Sequence, residues 1–101
     1  MIYHKYGAKR TEADGIKFAS KKEAQFYNDL KLQVKAGGVL FFLMQVPFHL
    51  PGGIRYFLDF MVFESSGVVR CVDVKGFRTQ TYKVKKKMVE ALYPGVEIEE
   101  V

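Results

Sequence analysis

The sequence predicts an α/β fold in which a mixed β-sheet is flanked by helices. Three observations predict it. Residues 56–63 and 68–76 are two runs rich in β-branched and aromatic side chains, joined by Glu64-Ser65-Ser66-Gly67, which is a hairpin pattern. Residues 20–36 and 79–92 show helical spacing of apolar positions behind Ser or Thr caps. Short alternating stretches stand near both ends, around Asp14-Gly15 and over residues 96–101. The resulting order is hairpin, helix, three strands, helix, strand, which calls for one mixed sheet with helices against one or both faces.

Each element has a local cause. Residues 1–10 have no periodicity and carry Lys5, Lys9 and Arg10, so they read as a basic arm. Such an arm is either a frayed terminus or a strap along a phosphate backbone, with Lys9 and Arg10 as contacts. Asp14-Gly15 between β-compatible stretches is a strong hairpin signal, and Ile16 and Phe18 would share a face. Ser20 followed by Glu23 makes a capping box, and Gly37-Gly38 ends that helix. Glu23, Phe26, Tyr27, Leu30 and Val34 fall on one helical face. Residues 39–48 read as a buried strand whose one polar residue before Pro47 is Gln45. Pro51-Gly52-Gly53 is a turn, with His49 in the loop leading to it. The second helix has Val84, Met88, Ala91 and Leu92 as its expected core stripe, and Pro94-Gly95 as its stop. Val96, Ile98 and Val101 alternate inward along a last strand.

The 101 residues suffice for a single domain with one modest core. Sixteen Lys and Arg against eleven Asp and Glu give a formal charge of +5, a balance that suits a polyanionic partner such as nucleic acid. Cys71 is the one cysteine, so no intramolecular disulfide forms, and its mid-strand position reads as a small buried hydrophobe. No signal-peptide pattern and no span long enough for a bilayer are present, which leads to the expectation of a cytoplasmic protein away from membranes.

The chemistry concentrates in the central hairpin. By strand alternation Asp59 shares a face with Phe57 and Met61, while Asp73 and Lys75 share one with Val69 and Cys71. Burying such charges is costly unless they pair or bind a metal. Asp59 and Asp73 are therefore candidate ligands for a hard cation such as Mg²⁺ or Mn²⁺, with the Val74 carbonyl as a further oxygen. Glu23 would reach the cation directly or through water, and Lys75 would orient a water and stabilise developing charge. Together these make a phosphodiester hydrolase site with Glu23, Asp59, Asp73 and Lys75 as catalytic residues.

Plainer readings exist for the others more than for Asp59, which no cap explains in mid-strand. Glu23 is also what a capping box requires. Asp73 and Lys75 would suit the exposed face of an edge strand, or a same-face ion pair. Gln45 either satisfies backbone groups or holds water or a substrate phosphate. Lysines of the second helix ordinarily form a solvated face; in the phosphodiester hydrolase reading they and the N-terminal basic residues would hold the phosphate backbone, with Lys85 singled out as a contact near the core edge. His4 and His49 lack partners at zinc-ligand spacing, and Gly52-Gly53 lacks the rest of a P-loop.

Asp59 followed by Asp73-Val74-Lys75, behind a helix bearing Glu23, resembles the PD-(D/E)XK nuclease superfamily. Over nearly the whole chain the sequence is similar to that superfamily's small phage-encoded endonucleases. The similarity runs through Asp14-Gly15-Ile16-Lys17-Phe18, Ser20-Lys21-Lys22-Glu23-Ala24, Gln45-Val46-Pro47, Arg55-Tyr56, Lys75-Gly76-Phe77 and Tyr82-Lys83-Val84-Lys85. Leu58 stands where the superfamily name has Pro, a position at which many members vary. The resemblance implies a restriction-endonuclease-like fold and a divalent-metal-dependent DNA endonuclease acting on recombination or replication intermediates. It also favours the catalytic role for Glu23. Cutting two strands with one site per chain would suit a homodimer. A non-catalytic nucleic-acid-binding module on the same scaffold is the alternative, and an RNA-directed hydrolase would use the same site.

Overall fold

A computed structural model of the chain describes residues 10–74 and 78–101. Lys9, Lys75 and most of the basic arm lie outside the described residues. The fold is α/β. β1 (Thr11–Ala13) and β2 (Ile16–Phe18) form the N-terminal hairpin, turning through positive φ at Asp14 and Gly15. α1 (Lys21–Ala36) follows, then β3 (Val39–Leu50), a turn at Pro51–Gly53, β4 (Ile54–Glu64), β5 (Val69–Asp73), α2 (Gln80–Leu92) and β6 (Ile98–Glu100). The second sheet has the order β3-β4-β5-β6, antiparallel except for the parallel β5–β6 pair.

Both helices begin and end where the local chemistry dictates. Ser20 Oγ accepts from the Glu23 N–H at 3.1 Å, and Gly37 at φ 87° closes α1 in the left-handed region that a side chain would disfavour. Thr79 Oγ1 accepts from the Tyr82 N–H at 3.0 Å at the start of α2. The hairpin is tied to α1 through Asp14, whose carboxylate accepts from the Tyr27 hydroxyl at 2.9 Å and from the Lys31 ammonium.

The helices cover opposite faces of the sheet. Phe60, Val62, Val72 and Val74 pack with Ala24, Tyr27 and Leu30 of α1, whereas Met61 and Cys71, the alternate residues, join Tyr82 and Val89 of α2. The β3–β4 ribbon then turns over. Phe42 and Met44, opposite Val62 and Phe60, belong to the α1 core; Val46, Phe48 and Leu50, with Leu58 and Tyr56 opposite, belong to the α2 core. Unbroken alternation would keep all these even-numbered residues on one side. The break falls between Met44 and Val46 on β3 and between Leu58 and Phe60 on β4. Its centre is Gln45, at φ 52°. The expectation that Asp59 shares a face with both Phe57 and Met61 fails here, because Asp59 sits at the crossover.

Other expectations change for reasons of topology. β3 is a sheet edge, so Leu40, Phe41 and Leu43 are exposed and the strand is not a buried one. His49 lies within β3, opposite Arg55, instead of in a loop. Val34 of α1 is exposed. The core stripe of α2 is Tyr82 and Val89 with Met88 beside them, while Val84 and Leu92 are 47% and 50% exposed and Ala91 is exposed. Cys71 is buried and reduced, and burial pushes its thiol pKa up. Among the described residues no helix is long and apolar enough to cross a membrane.

The Asp14 anchor carries a pH signature. Hydrogen bonds from Lys31 and then Tyr27 hold its carboxyl below the ordinary value. A depressed carboxyl stabilises the fold above its unfolded pKa of about 3.9 and loses that contribution as pH falls through the folded value. Asp14→Asn should therefore lower the urea midpoint at pH 7, with the gap to wild type closing in acid below the usual carboxylate range. A constant gap across that range would show that the anchor is not ionic.

Candidate functional site

The turnover of the ribbon creates the site. On β4, Asp59 stands opposite Gln45, between the Met44–Phe60 and Val46–Leu58 pairs. On β5, Asp73 ends the strand, one step past the Phe60–Val72 pair. Here the side chains take over from the ladder. The Asp59 N–H donates to Asp73 Oδ1 at 3.1 Å, and the Val74 N–H donates to Asp59 Oδ2 at 2.9 Å. Each carboxylate thus uses an oxygen to accept a backbone N–H from the neighbouring strand or its continuation. Backbone donors are the usual compensation for a buried charge.

Glu23 is delivered from the other direction. It lies in the first turn of α1, where the helix dipole favours a carboxylate, and its own N–H is held by the Ser20 cap. Its side chain meets Gln45. The Gln45 Nε2 donates to Asp59 Oδ1 at 3.2 Å and lies 3.5 Å from Glu23 Oε2, at the outer limit of a hydrogen bond. Glu23, Asp59 and Asp73 are 7%, 6% and 0% exposed, whereas Gln45 is exposed. One amide on the solvent side therefore bridges two buried acids. The left-handed backbone at Gln45 is uncommon for a residue with a side chain and needs surroundings that hold it there.

The structure brings together Glu23, Gln45, Asp59 and Asp73, with Val74 contributing its N–H. Lys75 follows Val74 directly and lies outside the described residues, as does Lys9. Arg10 is exposed ahead of β1. Lys85 points its ammonium toward the Arg55 carbonyl, 3.4 Å away.

The sequence reading missed one neighbour of the group. Tyr82 donates its hydroxyl to Glu100 Oε2 at 2.8 Å, and Glu100 pairs with Asp73 across the parallel ladder. Burial, the hydrogen bond to Glu100 and the nearby Asp73 charge push the Tyr82 phenol far above its usual pKa. Glu100, which also pairs with Arg78 at 3.0 Å, is held below the ordinary carboxylate value, chiefly by the Tyr82 hydrogen bond. The signal lay in the position of Tyr82, three residues after its cap, but strand order was needed to set Glu100 beside it.

Among the described residues no group of three or more His, Cys, Asp and Glu side chains is arranged to hold a metal ion. The donor chemistry nevertheless fits a hard cation. Two adjoining carboxylates, a third acid linked through Gln45 and main-chain oxygen at Val74 are all oxygen donors, and Mg²⁺ needs one or two carboxylates because it keeps several waters.

These hydrogen bonds make a stability prediction. Asp59→Ala deprives the buried Val74 N–H of its acceptor and should cost about 1–3 kcal/mol in urea unfolding at pH 7. Asp59→Asn keeps an acceptor for that N–H and lessens charge crowding with Asp73, so it should cost less than half as much. Equal losses in the two variants would show that the bond to Val74 does not hold the strands.

No curated protein and no solved structure matches the chain. A family model described as "Protein of unknown function (DUF1064)" matches residues 3–101. That match covers nearly the whole sequence, and the chain therefore belongs to the DUF1064 family.

Proposed function

We propose that the protein is a divalent-metal-dependent DNA endonuclease of the PD-(D/E)XK type, phage-derived and acting on recombination or replication intermediates. The observation that carries this reading is the meeting of Asp59 and Asp73, where the Asp59 N–H donates to Asp73 and the Val74 N–H donates to Asp59, with Glu23 joined to Asp59 by Gln45. The backbone hydrogen bonds account for each acid singly, but like charges gathered in a poorly solvated place oppose each other, and a bound cation would offset that cost.

Asp59, Asp73 and the Val74 carbonyl would hold Mg²⁺ or Mn²⁺, with Glu23 placed to support it directly or through water. A cation bound there supplies positive charge that polarises a phosphate oxygen and acidifies water. Gln45 orients the Glu23 and Asp59 carboxylates toward each other. Lys75, next along the chain after Val74, would orient the attacking water and stabilise charge on the phosphate in the transition state. In the reaction a bond forms between water oxygen and phosphorus, one ester P–O bond breaks, and the leaving oxygen takes up a proton. A cytoplasmic setting and a homodimer acting on both strands belong to the same proposal.

Nicking of supercoiled plasmid tests it. Wild type should nick with Mg²⁺ or Mn²⁺ and not with EDTA. Asp73→Asn and Lys75→Ala should each lose about 10²-fold or more of that rate while melting as folded proteins. Duplex, flap, four-way junction and single-stranded substrates, with RNA alongside, then rank the preferred structure. Metal-independent inactivity, together with equal DNA binding by wild type and Asp73→Asn, would favour the binding-module reading instead.

A further inference from the structure

We propose that an open groove between the start of α2 and β6 is a separate binding site for the phosphate backbone of double-stranded DNA. The groove has a volume of about 290 Å³, and its cationic lining is Arg78, Lys83, Lys86 and Lys87, with Gln80 and Glu100 among them. Its one acid is already committed, because Glu100 accepts from Tyr82 and is ion-paired with Arg78. Lys83 has only Thr79, Gln80, Lys86 and Lys87 at three and four residues' distance along the helix, so no acid offsets it there. Lys83 and Lys87 stand one turn apart, about 6 Å along the axis, and like charges at that spacing weaken a helix. A merely solvated face would be convex and interspersed with acids. This one is concave and its lining is nearly all of one sign, although Lys86 is paired with Glu90 of its own helix at 3.9 Å, and a row of phosphates requires such a surface.

The groove also lies on the same part of the sheet as the carboxylates. Glu100, in its wall, is the ladder partner of Asp73. Neighbouring strands are about 4.8 Å apart, so a single DNA backbone could reach both places. The lysines concerned are not the Lys85 picked out by sequence, whose ammonium turns to the Arg55 carbonyl. The inference rests on the nuclease reading for the identity of the polyanion and adds how that polyanion is held.

The test is binding of the full chain to a fluorescent 20-base-pair duplex in EDTA, followed by anisotropy across a series of NaCl concentrations. Lys83→Gln and Lys87→Gln should each make the slope of log K against log salt shallower by about 0.9, the value for one lost phosphate contact. Lys83→Glu with Lys87→Glu should weaken binding at least about tenfold at 0.1 M salt. Lys35→Gln, in the last turn of α1, should leave the slope unchanged. Unchanged slopes in folded groove variants would overturn the proposal. Nicking measured in parallel separates the two readings. Nicking with unchanged slopes sinks the groove alone, whereas shallower slopes in a protein that never nicks uphold the groove and sink the nuclease.

Discussion

The structure depends on an exchange of hydrogen bonds where β4 and β5 stop pairing as an ordinary ladder. Asp59 gives its N–H to Asp73, and Asp59 in turn takes the N–H of Val74. Side-chain oxygens thereby continue the work of a ladder that ends at Phe60 and Val72. Two carboxylates can stay buried only because these donors meet them. The exchange also fixes strand register at the place where a slip would be most damaging, since Phe60 and Val72 are fully buried beneath α1.

Around that point the protein has two cores instead of one. α1 covers Phe60, Val62 and Val72, and α2 covers Leu58, Cys71 and Tyr56. The same β4 strand serves both because the ribbon turns over at Gln45 and Asp59. Polar residues at the turnover solve a packing problem, because a side chain there belongs fully to neither core. Gln45 faces solvent and reaches inward, so its amide satisfies acids that neither apolar cluster could serve. The left-handed backbone at Gln45 and the buried acids are thus parts of one arrangement, each holding the other in place.

How much of this could be read from sequence follows from the range of the interactions. Ser20, Gly37 and Thr79 act on their own helix ends, so the limits of α1 and α2 were legible. Asp14-Gly15 fixed the hairpin for the same reason. Asp59 and Asp73 were legible as anomalies, since acids within apolar strands need a cause. Burial was less legible where it depends on strand order. Leu40, Phe41 and Leu43 look like core residues but sit on an edge, and that edge also accommodates Pro47, which lacks a donor for a ladder. Val84 and Leu92 have helical apolar spacing, yet α2 docks through Tyr82 and Val89. The turnover was not legible at all, because it follows from one residue's φ and leaves the apolar pattern on both strands intact.

Charge follows the same division between inside and outside. Glu23, Asp59 and Asp73 withdraw three of the eleven acids from the surface, so the exterior is more basic than the formal +5 conveys. Of the remaining acids, Asp14, Glu64, Glu90, Glu99 and Glu100 are matched with Lys31, Arg70, Arg78 and Lys86. Lysine is thereby left in excess on α2. This separation matters physically. Buried acids cannot be neutralised by mobile surface lysines, and they do not repel an approaching polyanion as surface acids would, because intervening protein and outward-facing cations dominate the field it meets. The proposed nuclease site, which would have to attract phosphate and also present negative oxygens to a cation, would be served by such a division, with the acids at the seam between the two cores and the cations on the helix that flanks it.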